Sequence, residues 1–193
     1  MSERLNVKDL ITVGIFSVII IVLIFVFGML GYIPILMLGL PILAALICGV
    51  PYMLFLTRVS KFGMVTLMGF ILGCVMFLTG HTWVPVVTFT VCAFIADLIL
   101  KMGNYSSVKN SIISHGVFIL GIMGNMLPFF ILRDAYMAAM QSSMGNDYVN
   151  VIAPFLQTNV LIVMIVLTFI CGLISAYIGK IVLKKHFEKA GIA

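Results

Sequence analysis

Eight polar or amphipathic side chains fall near the ends of long hydrophobic segments, where they could hold a small molecule. A ligand pocket needs about this inventory, namely apolar walls with a few placed hydrogen-bonding groups. The same residues could instead form an ordinary interfacial belt with solvated amides. The candidate binding set is His81, Trp83, Asn125, Asp147, Tyr148, Asn150, Gln157 and Asn159.

A methionine stripe lies within the same region of the chain. Met137, Met140 and Met144 recur at spacings of three and four residues, with Tyr136 beside them. This spacing predicts a short surface helix with one apolar face. Because methionine adapts to irregular apolar shapes, the stripe could form a lid over a ligand. Alternatively, it packs on helix ends or dips into the bilayer interface.

Two ionisable residues, Asp97 and His115, fall inside predicted membrane helices, where such groups are costly. Each lies about one to two turns from the inner end of its helix, so their depths match. They could face each other as a buried polar pair, serving as a proton site, a conformational latch or a structural contact. No cluster has metal-ligand spacing. We therefore expect no catalytic residue, no metal and no cofactor.

The phosphate-binding loop of ATPases, G-x-x-x-x-G-K-[ST], is absent from the sequence. Gly179-Lys180 has neither the preceding loop glycine nor a following serine or threonine. We therefore expect that the chain is not an enzyme and does not hydrolyse ATP. Active transport would need an ion gradient or an energising partner.

The composition determines which elements must position these residues. Of 193 residues, 63% are hydrophobic and 9% are charged, and the mean hydropathy is +1.29. Soluble proteins have about 45–50% apolar and about 25% charged residues. A soluble fold of this size has too little interior to bury so much apolar surface. Soluble enzymes, nucleic-acid-binding modules and secreted disulfide scaffolds are excluded. The sequence predicts an all-α integral membrane protein.

Six apolar segments approach the length of about 20 residues that a membrane-spanning helix needs. Pro34, Pro41 and Pro51 all fall in the second segment, which predicts a kink or a break. Broken helices often line cavities, although a harmless bend packed against neighbours is the alternative. We predict one membrane domain over residues 1–193, with helices over 10–30, 33–56, 63–78, 84–100, 111–132 and 152–183 and an outer loop over 133–151.

The basic residues predict the orientation of these helices. With both termini in the cytoplasm, Arg133 is the one outer residue among the eleven lysines and arginines. Cytoplasmic loops retain positive charge, so the inverted topology would break this rule almost completely. The N- and C-termini are predicted to be cytoplasmic.

Small residues at four-residue spacing let helices approach closely in lipid. They recur in the third and sixth predicted helices, and the first helix carries two further small residues. Such positions either pack helices within one chain or form a docking surface for another membrane subunit. The candidate docking residues are Gly14, Ser17, Gly69, Gly73, Gly172 and Ala176.

Several stretches of the chain together carry a family resemblance. They are Lys8-Asp9-Leu10-Ile11-Thr12-Val13-Gly14-Ile15-Phe16, Ala96-Asp97-Leu98-Ile99, Gly103-Asn104-Tyr105-Ser106-Ser107, Asn110-Ser111-Ile112-Ile113-Ser114-His115, Leu127-Pro128, Arg133-Asp134-Ala135-Tyr136 and Asp147-Tyr148. In these motifs the chain resembles the Trep_Strep-type substrate-binding S components of energy-coupling factor (ECF) ABC transporters. One departure is that the first helix lacks the A-x-x-x-A pattern through which many S components contact their partner.

The resemblance implies a six-helix subunit of the plasma membrane whose pocket opens outward. Such a subunit docks on a transmembrane T component that carries two ATPases, and it delivers a vitamin-like micronutrient or a tetrapyrrole such as haem. His81, Tyr148 or a loop methionine could supply an axial ligand to haem. The expected partners are these subunits, the small-molecule substrate and the lipid bilayer, without nucleic acid. The alternatives are a self-contained ion-coupled carrier and a membrane scaffold without transport activity.

Overall fold

Apolar segments fold as helices because a helix satisfies every backbone N–H and C=O internally. The computed structural model describes residues 4–189, and no strand occurs within this range. The α-helices are α1 Val7–Gly28, α2 Pro34–Met37, α3 Leu40–Ile47, α4 Gly49–Leu56, α5 Met64–Leu78, α6 Val84–Met102, α7 Val108–Ile119, α8 Leu127–Ile131, α9 Arg133–Met144, α10 Asn146–Ile152, α11 Thr158–Val182 and α12 Lys184–Lys189. Short 3₁₀ helices occupy Met29–Tyr32, Leu120–Asn125 and Ala153–Phe155.

Three helical segments of the described chain are long and apolar enough to cross a membrane. They are Val7–Tyr32, which continues α1 through the following 3₁₀ turn, Val84–Met102 and Thr158–Val182. The helix Met64–Leu78 is apolar but shorter. An all-helical membrane protein is therefore the architecture, while the six spans and the cytoplasmic termini remain predictions.

The second apolar segment is divided into three helices, in agreement with its prolines. Pro34 lies in the first turn of α2 and Pro41 in the first turn of α3, where the missing N–H of proline costs no helical hydrogen bond. α3 and α4 pack against α11, and the Ser175 hydroxyl donates to the carbonyl of Ala45 at 2.6 Å.

The fifth predicted helix, 111–132, is wrong as one continuous helix. α7 ends at Ile119, a 3₁₀ turn follows, and α8 begins at Leu127. Glycines let this turn lie directly against α6, since a Cβ on Gly121 would lie 2.7 Å from the Phe89 Cα. The Thr88 hydroxyl also donates to the Gly121 carbonyl at 2.8 Å. The turn therefore follows from contact with α6 and not from local sequence alone.

The predicted outer loop, 133–151, contains two helices, of which α9 carries the methionine stripe. Gly145, with a φ of 87°, separates α9 from α10, and this left-handed conformation favours glycine. A 3₁₀ turn containing Pro154 follows α10, so the last long helix begins at Thr158 and not at the predicted residue 152.

Two apolar clusters hold the helices together. The larger cluster lies among α1, α3, α4, α5, α6, α7 and α11, and it includes the fully buried free thiol of Cys48. The smaller cluster joins α2, the 3₁₀ turn before α8, α8, α10 and the first part of α11. Its buried residues are Met37, Met123, Met126, Phe129, Tyr148, Ile152, Leu156 and Met164.

Most of the candidate docking residues pack within the chain, which is the alternative interpretation of these positions, and their role in docking stays a prediction. A Cβ on Gly73 would lie 2.6 Å from the Val86 Cα, and one on Gly172 would lie 3.0 Å from the Gly116 Cα. Gly69 packs in the same way against α6 at Phe89 and Ala93, while Ala176 and Ser17 are buried. Among the six, Gly14 alone has open space beside it.

Candidate ligand-binding site

A cavity of about 700 Å³ opens where several helix ends meet. Its walls come from the end of α1 and the turn after it, from α3, from the end of α5, from the 3₁₀ turn before α8 and from the end of α9. This volume lies within the range of about 300–1,000 Å³ that is usual for small-molecule sites. The apolar lining residues are Ile24, Phe25, Phe27, Met29, Leu40, Pro41, Leu43, Ala44, Ile47, Met76, Ile122, Met126 and Met144.

Asn125 contributes an unsatisfied polar atom to this lining. It ends the 3₁₀ turn that packs on α6, and its Nδ2 lies 3.7 Å from the Met76 Sδ. Its Oδ1 is buried without a hydrogen-bond partner among the described residues. Buried carbonyl oxygens of this kind are normally paired. Asn125 is a residue of the cavity wall, so this unpaired oxygen belongs to a side chain beside the cavity.

His81 lies in the loop after α5 and presents a second acceptor. Its Nδ1 lies 3.2 Å from the carbonyl of Met76. A carbonyl only accepts, so the neutral ring carries its proton on Nδ1 and leaves a lone pair on Nε2. Burial lowers the pKa of His81, although the bond to the Met76 carbonyl opposes this effect. The ring is therefore neutral at pH 7.

Five of the eight predicted binding residues do not line the cavity. Trp83 is 66% exposed, and the other four are also exposed. Asp147 and Asn150 lie on the exposed side of α10. The side chain of Gln157 donates back to the Pro154 carbonyl at 2.9 Å. The structure therefore does not bring these five residues to the cavity with His81 and Asn125; they are Trp83, Asp147, Asn150, Gln157 and Asn159.

Tyr148 and the methionine stripe lie behind or beside the cavity. The Tyr148 hydroxyl donates to the carbonyl of Gly31, a residue of the cavity wall, and burial raises the pKa of Tyr148. Of the predicted lid, Met144 lines the cavity. Tyr136, Met137 and Met140 pack against the smaller apolar cluster instead, which matches the alternative interpretation of the stripe.

The prolines of the second predicted segment indicated a broken helix of the kind that lines cavities, and Pro41 lies in the cavity wall. Sequence reasoning missed the part of the wall that α1 and the turn after it contribute, over residues 24–32. Tyr32, Thr79 and Ser143 are further polar residues of the lining, and α1 and α3 supply most of the apolar surface. Periodicity carries no such information, because α1 is apolar on every side.

Asp97 and His115 do not form the predicted pair. The carboxylate of Asp97 accepts from the Gly63 N–H at 2.8 Å, from the Thr66 N–H at 3.2 Å and hydroxyl at 3.0 Å, and from the Tyr105 hydroxyl at 3.2 Å. Asp97 thus caps α5, since the first N–H groups of a helix lack internal partners. Burial and the adjacent carboxylate raise the pKa of Tyr105.

His115 is buried elsewhere in the core. Its Nδ1 lies 2.8 Å from the Gly172 carbonyl, and its ring centroid lies 4.9 Å from that of Tyr52. Neither a hydrogen bond nor an ion pair joins it to Asp97 in the described chain. Asp97 is turned toward the start of α5, whereas His115 is turned toward α11.

Residues 7–189 match a family described as a hypothetical bacterial integral membrane protein (Trep_Strep). The chain belongs to the Trep_Strep family. Neither a curated protein nor a solved structure matches it. The Trep_Strep match runs from the start of α1 to the end of α12, so it includes every wall of the cavity and every residue that holds α5 to α6.

Proposed function

We propose that this Trep_Strep protein is the substrate-binding S component of an ATP-driven ECF-type importer. It captures a small micronutrient on the outer face of the plasma membrane and delivers it inward with a T component and two ATPases. The observation that carries the proposal is the cavity of about 700 Å³, with mostly apolar walls and a few polar groups that include Asn125 and His81. A membrane scaffold has no need for such a cavity.

The proposed topology has six membrane crossings, with both termini in the cytoplasm. α1 and α5 begin, and α6 ends, at the end of the helices that carries Lys8, Lys61 and Lys101, whereas the cavity lies at the opposite end. Since positive loops are retained inside, this arrangement opens the cavity to the outside. Capture from the medium is the role that fits this direction.

Energy for uptake comes from partner subunits in this proposal. The sequence has no phosphate-binding loop, so ATP hydrolysis belongs to another chain. A self-contained carrier would need an ionisable group free to exchange protons. The carboxylate of Asp97 accepts four hydrogen bonds within the protein, so this group is not free for such an exchange.

Native mass spectrometry of the gently purified chain, with an absorption spectrum of the same sample, tests the binding role. We expect a defined extra mass, and a Soret band if the molecule is haem. Affinity purification of the tagged chain from its own membranes tests the transport role. We expect two ATPases and one further membrane subunit to copurify. Uptake into liposomes by the chain alone, driven by a proton gradient, would instead establish the ion-coupled carrier.

A further inference from the structure

We infer that the cavity accepts an uncharged, mostly apolar molecule that donates hydrogen bonds, such as a carboxamide. The inference rests on the proposed function, because it names the substrate class of the same site. It is drawn from the absence of charge in the walls, from two unused acceptors and from the apolar character of the remaining surface.

The walls contain no group that would neutralise a charged ligand. None of the residues that line the cavity in the described part of the chain is a lysine, arginine, aspartate or glutamate. Arg133 is not in the lining, and its guanidinium donates to the Ala153 carbonyl at 3.2 Å. A carboxylate or an ammonium group that is buried without a partner is strongly disfavoured. Molecules that are ionised at pH 7 are therefore poor occupants.

The two acceptors define what the neutral ligand must carry. Asn125 and His81 both line the cavity. The Asn125 Oδ1 is buried without a partner, so its amide must rotate toward the cavity to meet a ligand, and the neutral His81 ring keeps its Nε2 lone pair because its Nδ1 faces the Met76 carbonyl. An N–H or O–H of the ligand satisfies such an acceptor, whereas a ligand that only accepts leaves it unpaired at a cost of affinity. The ligand therefore donates to this side of the cavity.

The rest of the lining favours a ligand with a large apolar portion. Phe25, Phe27, Met29 and Met126 are among its residues, and aromatic and thioether side chains pack well against flat or irregular apolar groups. Haem satisfies this requirement, but its two carboxylates find no cation in the described walls. A preference for neutral ligands thus favours uncharged micronutrients over charged ones such as haem.

Two matched series of probes test the inference on the whole chain in lipid nanodiscs. The indole series is indole-3-acetamide, indole-3-acetate and tryptamine, and the pyridine series is nicotinamide, nicotinate and 3-picolylamine. Within each series the ring stays constant while the side group is neutral, negative or positive. The rise in unfolding temperature with probe concentration gives the affinity. In at least one series, we expect the carboxamide to bind about tenfold more tightly than either charged member.

Two variants connect this preference to the acceptor. Asn125→Leu keeps the side chain branched at Cγ but has no Oδ1, and we expect it to bind the carboxamide about tenfold more weakly. Asn159→Leu removes an exposed amide outside the cavity and leaves the affinity unchanged. The probes partition into the bilayer equally for all variants. A difference in affinity between Asn125→Leu and Asn159→Leu therefore reports binding in the cavity.

The outcomes separate this inference from the proposed function. Equal binding of neutral and charged members in both series, or no binding of any member, overturns the neutral-ligand inference, as does a carboxamide affinity unchanged by Asn125→Leu. Copurification with two ATPases bears on the importer alone. A carboxamide preference without such partners supports the inference while rejecting the importer.

Discussion

The two ends of this helical protein use polar side chains in opposite ways. At the end where α5 begins, the carboxylate of Asp97 accepts four hydrogen bonds. At the same end, the Lys61 Nζ lies 2.7 Å from the Asp9 Oδ2 at the start of α1. At the cavity end, Asn125 keeps a buried oxygen without a partner among the described residues. The turns 29–32 and 120–125 there are 3₁₀ and not α-helical.

This difference separates structural polar residues from binding residues. Satisfied buried groups stabilise the helix contacts that they join, whereas an unsatisfied buried group is unusual. Ser17 Oγ and His115 Nε2 are also buried without a partner among the described residues, so it is the position of Asn125 in the cavity wall that makes it the binding candidate. Residue type alone does not make this distinction. Here the charged residue, Asp97, stabilises the fold, and the neutral residue, Asn125, has an unpaired oxygen for a ligand. Changes at the first end should therefore alter stability, and changes at the second should alter binding.

The largest effect is expected from Asp97→Ala. The substitution leaves the N–H groups of Gly63 and Thr66 without their acceptor, so the free energy of unfolding should fall by about 3 kcal/mol. Titration with SDS in mixed micelles measures this change. Asp134→Ala, which removes an exposed carboxylate, is the control. Wild-type stability combined with lost probe binding would place Asp97 in the binding function and erase the contrast between the ends.

A somewhat smaller effect is expected where helices pack through glycine. In Gly73→Ala the new methyl would lie 2.6 Å from the Val86 Cα, which forces α5 away from α6, and stability should fall by about 2 kcal/mol. Gly14→Ala has nothing within 4 Å and should be neutral or slightly stabilising. If Gly73→Ala kept full stability but lost copurifying subunits, Gly73 would be a docking residue after all.

Tyr148→Phe should have a modest effect that is local to the cavity. It removes the hydrogen bond to the Gly31 carbonyl, at a cost of about 1 kcal/mol. Hydrogen exchange in residues 29–32 should become faster. Tyr136→Phe is the matched control, since the Tyr136 ring packs 4.8 Å from that of Phe129 and its hydroxyl bonds to no described residue. Equal exchange in the two variants would show that Tyr148 does not hold this wall.

The smallest effect is a pH dependence of carboxamide binding. The pKa of His81 is lowered by burial, so the acceptor Nε2 persists below the usual histidine pKa of about 6.5. Affinity for indole-3-acetamide should therefore stay constant from neutral pH to about 6.5 and decline only at lower pH. In His81→Gln the decline should disappear. A decline that begins above neutral pH would contradict the predicted direction of the shift.

The sequence predicted α5 and α6 to within about two residues, because glycine and proline mark their ends. Gly63 precedes α5 with a positive φ, Pro85 lies in the first turn of α6 and Gly103 follows its end. The turn after α7 was not predictable in this way. Its glycines serve contacts with Phe89 and Pro85, which lie more than thirty residues away in sequence.

The candidate site was only partly predictable for a related physical reason. His81, Asn125 and Met144 were selected as polar or adaptable residues near helix ends, and all three line the cavity. Trp83 and Asp147 met the same criterion, yet neither lines the cavity, since depth in the membrane does not specify direction around the helix axis. The wall from α1 consists of ordinary apolar residues that no chemical criterion distinguishes, whereas α3 was marked by its proline.

The carboxylate of Asp97 joins the start of α5 to α6 and to the Tyr105 loop before α7. These elements carry one wall of the cavity, including His81 and Asn125. The opposite wall, over residues 28–32, contacts α10 through the Tyr148 hydroxyl. The two walls of the cavity are thus held by different segments of the chain, so a substitution at Asp97 or at Tyr148 loosens one wall without removing the contacts of the other.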